Sequence, residues 1–323
     1  VKPALPLRAA SPRHITGLLV VAFLAAASLV GPAFTPDPTE ILDPRHGALL
    51  PPGTTATYLR TTSGVVVAVS HVVRRGDVVT ALRGGTEVSF PAHEVAALER
   101  RLHLLGTDAL GRDVLSRLLH GGRVSLAVGA SALALALCIG VAAGMAAGWR
   151  GGLVDALLMR LVDGLLAIPM IFLLLLLAVV FRPSLGTLVL VLAFSAWMGV
   201  ARLVRAQVLS LKEREFVLAA RAMGAGSLRI ALTHLLPNTA TPLAQDAALR
   251  LGDLILVEAS LSFLGLGVPP PYPSWGSMVA EGQEVLLTAW WLTVVPGAAV
   301  AATVIGAALV ADGLSEVARG SHR

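Results

Sequence analysis

The stretch Ser210-Leu211-Lys212-Glu213-Arg214-Glu215-Phe216-Val217-Leu218-Ala219-Ala220-Arg221-Ala222-Met223-Gly224-Ala225-Gly226-Ser227-Leu228-Arg229-Ile230-Ala231-Leu232-Thr233-His234-Leu235-Leu236-Pro237-Asn238 decides how the rest of the chain is read. It lies between two long apolar runs and is too charged to cross a membrane. Leu211 to Met223 reads as helix, and Gly224 stops it, because glycine readily takes the left-handed position after a helix end. Ser227 can cap a second helix, Leu228 to Leu236. Pro237, which lacks an N–H, ends that helix. Two short helices around a glycine bend form a rigid surface knob, suited to docking into a groove of another protein.

The flanking sequence is that of a membrane protein. The chain has 323 residues, 55% of them hydrophobic and 14% charged, with a mean hydropathy of +0.78. Soluble domains carry roughly 25% charged residues, so an ordinary soluble or disordered chain is excluded. The net charge of +5 and pI of about 10.3 could suggest nucleic acid, but most arginines flank apolar runs, as membrane topology requires. Cys138 is the one cysteine, which excludes an internal disulfide and a cysteine metal cluster. The lysines are Lys2 and Lys212. Neither follows a glycine-rich loop, so the chain has no P-loop lysine with which to hydrolyse ATP.

A spanning helix needs about 20 apolar residues. Six stretches qualify: Ile15–Phe34, Val124–Gly148, about Leu157–Phe181, Thr187 to about Gln207, about Leu243–Gly265, and Ala289 to about Ala311. The first could be a signal peptide, but its apolar run is long and Thr35-Pro36-Asp37-Pro38 is a poor cleavage site. It reads as an uncleaved helix. The positive-inside rule places both termini in the cytoplasm: Lys2, Arg8, Arg13, Arg150, Arg160, the six basic residues from Arg202 to Arg229, Arg319 and Arg323 fall inside, while the short external loops hold Arg182. The expected fold is therefore an all-α integral membrane protein with six transmembrane helices and a small extracytoplasmic β insertion. Residues 1–34 hold the tail and first helix, 35–105 the insertion, and 106–323 five further helices with the cytoplasmic loop 209–240.

Several residues within the helices carry alternatives. Gly140, Gly144 and Gly148 form a small-xxx-small ladder on one face, which lets another backbone approach closely. Packing or a hinge would both use it. Pro169 should kink the third helix. Arg160 and Asp163, three apart, can pair near the boundary. Asp246, Arg250 and Asp253 share one face of the fifth helix, and Glu258 lies farther along. Ionisable residues inside a membrane face the bundle interior or an aqueous path, so these read as an internal salt-bridge stripe or as a translocation path.

The insertion reads as β over 54–90. Strand-like runs at Thr55–Thr61, Val65–Val73, Asp77–Leu82 and Thr86–Phe90 are separated by Ser63-Gly64, Arg75-Gly76-Asp77 and Gly84-Gly85. Three or four antiparallel strands are expected, followed by a helix from Ala92 to Leu105. So small a sheet needs a surface to pack on. It is either a decoration or a dock for an external protein. Next, Thr107 or Asp108 can cap an amphipathic helix through Leu119, with Leu110, Val114, Leu115, Leu118 and Leu119 opposite Arg112, Asp113 and Arg117.

The knob resembles the EAA loop of ABC-importer permeases, a pattern of Glu-Ala-Ala, three residues, Gly, nine residues, a hydrophobic pair and Pro. Ala219-Ala220, Gly224 and Pro237 stand at that spacing. The sequence departs at Leu218, where the pattern has Glu; Glu215, one turn earlier, could substitute. Gly106 to Leu126, Glu258 to Pro270 with Pro273-Ser274-Trp275-Gly276, and Asp312-Gly313-Leu314 resemble the C-type permease of dipeptide, oligopeptide and nickel importers. This resemblance implies one of two related permeases, served by two cytoplasmic ATPases that bind ATP and Mg and by an extracytoplasmic solute-binding protein, with no cofactor in this chain. It also implies an ATPase-coupling surface made by Glu215, Ala219, Ala220, Arg221, Gly224, Ala225, Ser227, Arg229, His234 and Pro237. Peptides are the expected cargo, in the plasma (inner) membrane. One rival is an ion-coupled secondary transporter using Asp246, Asp253 and Glu258, although no internal repeat of the kind such carriers usually have is evident. A second is a non-transporting scaffold whose β insertion does the work.

Overall fold

The computed structural model describes residues 12–182 and 184–320; Lys2, Arg8 and Arg323, and the side chain of Arg319, lie outside it. Two compact units are present. One contains Ser125–Pro269 with the stretches up to Leu24 and from Val300, and the other contains Ala25–Val124 and Pro270–Ala299.

Helices α1 (Pro12–Val30), α2 (Val114–Arg150), α5 (Leu185–Leu211) and α10 (Trp291–Gly320) are each long and apolar enough to cross a bilayer. Two more, α3 (Gly152–Leu166) and α4 (Met170–Val180), pass the same test only as a pair bent by 88°. The third expected span is thus a broken element rather than one kinked helix. The break falls at Pro169, whose backbone is extended with ψ 122°. Proline lacks the N–H and disfavours helix in the residue before it, so α3 stops and α4 starts anew.

The fifth expected span lies in α8 (Leu236–Phe263), a 28-residue helix that carries Asp246, Arg250, Asp253 and Glu258. Those charges keep it out of the candidate spans, which number four, or up to five with the bent pair, among the described residues.

In the helical unit α5 is the central element. Ser184 caps it by accepting from the Thr187 N–H at 3.0 Å. Leu192, Met198, Val200, Ala201, Val204 and Val208 on it are fully buried. The α2 glycines face it. A Cβ at Gly140 would lie 2.5 Å from Val200 Cβ, one at Gly148 would lie 2.8 Å from Val208 Cβ, and one at Gly144 would overlap Ala201 O. Close approach of the two backbones requires these hydrogens. α1 meets α10 in the same way, with Gly17 against Gly306 O and His14 Nδ1 3.3 Å from Val310 O. Asp163 on α3 pairs with Arg202 on α5, not with its helix neighbour Arg160, and Asp155 takes Arg205 by two contacts of 2.5 and 2.6 Å. Both arginines reach across from α5, so interhelix pairing wins over the i, i+3 pair.

The second unit holds a five-stranded antiparallel sheet, not three or four strands. Its strands are β1 (Thr54–Thr61), β2 (Val66–Arg75), β3 (Val78–Arg83), β4 (Thr86–Pro91) and β5 (Val95–His103), in the order β4-β3-β2-β1-β5. The expected helix over 92–105 is replaced by a single 3₁₀ turn, Ala92–Glu94, and then β5. β5 pairs with β1 from Thr54↔His103 to Thr61↔Val95. Its Ala, Leu, Glu and Arg residues favour helix intrinsically, but strand preference follows context, and here β1 pairs with it along its length, with one bulge at Ala96. One face buries Leu59, Val67, Val69, Val79 and Ala81, and the other packs Tyr58 and Ala68 on Leu42.

No helix starts at Thr107 or Asp108. Thr107 and Asp113 form an isolated bridge. Asp108 Oδ1 accepts from the N–H groups of Leu110 and Arg112, which makes a turn with Gly111 at φ +77°. The cap of α2 is Asp113, which accepts from the Ser116 N–H at 2.8 Å. Its other carboxylate oxygen meets His103 Nδ1 at 2.8 Å, and His103 Nε2 meets the Tyr58 hydroxyl at 2.9 Å. The last strand of the sheet is thereby tied to the first turn of α2. Burial pushes the Tyr58 hydroxyl up to about 12.

Candidate functional site

α5 ends at Leu211, and a turn over Lys212–Arg214 separates it from α6 (Glu215–Ala222). The expected single helix over 211–223 is therefore two. Gly224 ends α6 at φ +81°. The Ala225 N–H reaches Ala220 O at 3.0 Å and the Gly224 N–H reaches Arg221 O at 2.9 Å. That is a Schellman end, which needs a left-handed residue at its centre.

α7 (Ser227–Ile230) follows, with Gly226 rather than Ser227 at the cap position and no side-chain cap bond. A π-helical segment, Ala231–Leu235, then leads directly into α8. Pro237 does not end a helix. It sits in the first turn of α8, where a missing N–H costs little, and the wider π turn lets the chain run through.

The knob has an inside and an outside. Val217, Ala220, Ile230 and Leu235 are buried with Val200, Val204 and Val208 of α5, and Trp149, Met145 and Leu243 pack around them. Two links fasten the knob to the end of α2. The Arg221 guanidinium lies 4.2 Å over the Trp149 ring. Lys212 Nζ is 3.5 Å from Gly148 O. Within the knob, Phe216 meets the His234 ring edge-on at 6.2 Å, and Asn238 Nδ2 donates to His234 O at 2.6 Å.

Outward lie Glu215, Leu218, Ala219, Met223, Gly224, Ser227, Leu228, Arg229 and Pro237. Met223 is 82% exposed, and Leu218, in the place where the EAA pattern has Glu, is 46% exposed. Ala220 is buried and Ala225 half-buried. Of the ten residues expected to couple, Glu215, Ala219, Arg221, Gly224, Ser227, Arg229 and Pro237 are exposed, Ala225 and His234 are half-buried, and Ala220 belongs to the packed base. Sequence reading passed over Trp149, although a Trp-Arg pair closing an apolar helix is a visible signal.

The acids of α8 do not form one site. Asp246 is held by Arg250 Nε at 2.5 Å, and Arg250 also donates to Ala196 O at 3.3 Å. Asp253 is exposed. Glu258 is wholly buried, accepting from Ser125 Oγ at 2.9 Å and Ser262 Oγ at 2.7 Å. Twelve residues of helix, about 18 Å, separate Asp246 from Glu258. No cluster of three or more metal-binding side chains is found among the described residues.

The Gly106–Arg117 motif builds a charge network in the second unit. Arg117, 3% exposed, takes Asp108 at 2.6 Å and Glu281 of α9 (Trp275–Gln283) at 2.6 and 2.8 Å. Arg112 reaches the same two carboxylates at 2.6 and 2.8 Å. The Trp275 indole donates to Leu118 O at 3.0 Å. The motif's spacing serves this clamp of α9 on the start of α2.

The family described as binding-protein-dependent transport system inner membrane component matches residues 140–318. The dipeptide transport system permease protein DppC of Escherichia coli (strain K12) is 45% identical over 214 residues, covering 66% of this chain and 71% of the relative. DppC of Bacillus subtilis (strain 168) is 40% identical over 215 residues, covering 66% and 67%. Among solved structures, the inward-facing MetNI methionine ABC transporter aligns with a TM-score of 0.49 and 20% identity, over 64% of this chain and 97% of that one. The matched residues take in the glycine ladder, the knob and α8 to α10, and the chain belongs to the binding-protein-dependent inner membrane components, as a multi-pass permease of an ATP-driven importer rather than an enzyme.

Proposed function

We propose that this permease moves peptides into the cytoplasm, as one of two related permeases assembled with two ATPases and an extracytoplasmic solute-binding protein. The names of its relatives, dipeptide permeases at 40–45% identity, support the cargo. The ATPases dock on the 209–240 knob. The observation that carries this reading is the knob's construction: exposed Leu218, Met223 and Gly224 stand on a buried base continuous with α5. A push on the knob therefore reaches a spanning helix without crossing a flexible joint. Differential contact with two ATPase states then biases the helices between outward- and inward-facing forms.

In this reading α8 crosses the membrane as a sixth span with both termini cytoplasmic, and the sheet lies outside. The charges on α8 are tolerable there because Asp246 and Arg250 pair and Glu258 is hydrogen-bonded. The same pairing speaks against an ion-coupled carrier, which would need Asp246 free. The test is uptake of a labelled dipeptide into proteoliposomes of the assembled complex. Gly224→Trp should abolish ATP-dependent uptake while the ATPases still co-purify and hydrolyse ATP. Normal uptake by that variant would overturn the lever. Uptake driven by an ion gradient without ATPases would overturn the importer.

A further inference from the structure

An apolar groove of about 750 Å³ runs along α2 beside the knob. Leu137, Val141 and Met145 form one wall, and Leu228, Leu232 and Leu236 the other. From Leu137 to Arg150 is thirteen residues, about 20 Å of helix. One leaflet's hydrocarbon is about 15 Å deep, so the groove has the length of an acyl chain with its headgroup. Its deep end at Cys138 lies about 18 Å from the helix end, beyond the reach of a soluble domain that docks on the knob.

The charge sits at one end only. Arg150 lines the mouth beside Ser227. It is exposed and makes no ion pair among the described residues. The nearby carboxylate of Asp155 is already taken by Arg205 at 2.5 and 2.6 Å. Two further cations are fastened to the same helix end, Lys212 on Gly148 O and Arg221 over Trp149. Glu213 and Glu215 follow in the chain but do not line the groove. An apolar trough with a cationic mouth matches a lipid whose headgroup is anionic better than it matches a bare apolar helix.

We propose that this groove is a specific site for an anionic phospholipid, with its acyl chain between α2 and the α7–α8 junction and its phosphate at Arg150 and Ser227. The bound lipid would buttress the knob from the membrane side. Each arginine near a charged lipid surface favours the anionic headgroup about fivefold.

The test is native mass spectrometry of the assembled complex after mild delipidation. It is titrated with phosphatidylglycerol or phosphatidylcholine of the same acyl chains. Wild type should retain one phosphatidylglycerol at least about fivefold more tightly than phosphatidylcholine. Arg150→Gln should remove that preference while leaving weak binding of both lipids. Ala142→Trp, which fills the trough, should reduce binding of both. Equal retention of the two lipids by wild type would overturn the site, as would a preference that survives Arg150→Gln. Lipid binding untouched by Ala142→Trp, with loss of the second permease instead, would overturn it by showing that a helix fills the groove. Should Ala142→Trp fail to assemble, the Arg150→Gln comparison decides alone.

Discussion

Single residues set how closely the helices approach and where the chain may turn. Gly144 and Gly164 make a clean contrast. A Cβ at Gly144 overlaps Ala201 O, while one at Gly164 meets nothing within 4 Å. Gly144→Leu should separate α2 from α5 and cost about 1–3 kcal/mol or more, since overpacking at a tight contact does. Gly164→Ala should be neutral. Size-exclusion profiles of the fluorescently tagged complex in detergent would read both, and an intact monodisperse Gly144→Leu peak would refute the packing role. Tyr58 is a second such site. Tyr58→Phe removes the hydroxyl from buried His103 Nε2 and leaves an unpaired polar group worth about 1–3 kcal/mol. A lowered unfolding midpoint at neutral pH is the expected result.

At the scale of elements, the sheet owes part of its stability to the carboxylates of Glu40 and Asp43. Burial alone would raise the Glu40 carboxyl, but hydrogen bonds from Arg101 at 2.7 Å and Arg60 at 2.6 Å hold it below its ordinary value. Burial likewise opposes ionisation of Asp43, and the backbone N–H groups of Arg45 and Ala68 with Arg83 outweigh it. Both groups have folded values below their unfolded ones. Their contribution is present above the unfolded range, near pH 4 to 5, and fades as pH falls through the folded values. Protease resistance of residues 54–103 in the intact complex should therefore drop on acidification below about pH 4. In Glu40→Gln it should be lower already at neutral pH and show a shallower acid loss. An unchanged acid profile in that variant would remove Glu40 from this account.

For the whole molecule the question is which side of the membrane each part occupies. The proposed topology, with both termini inside, requires an external sheet and a cytoplasmic knob. In a Cys138→Ser background of the full complex, Gly85→Cys should react with a membrane-impermeant maleimide added to whole spheroplasts. Glu213→Cys, in the turn between α5 and α6 and outside both the coupling residues and the groove, should react only after the membrane is opened. A side chain at Gly85 meets nothing within 4 Å, its φ of +86° straining only its own turn, and Glu213 is exposed, so neither substitution crowds a neighbour. The opposite labelling pattern would invert the topology and place the knob away from any ATPase.

The sequence by itself determined what depends on local pattern. Apolar runs of sufficient length gave the four helices able to span a bilayer, the turn glycines gave β1 to β4, and Gly224 at a helix end gave the bend of the knob. These readings hold because helix ends, turns and membrane crossing are governed by residues close together in the chain. Tertiary structure alone decided the rest. β5 is helix-prone in composition but strand in fact, because β1 offers it a ladder broken only by one bulge. Pro237 reads as a stop but sits inside a continuous path, because a π turn upstream absorbs it. Asp163 chose Arg202 over Arg160, and Arg221 found Trp149, across gaps of 39 and 72 residues. Such partners become neighbours only when the helices pack, and no spacing within one segment encodes them.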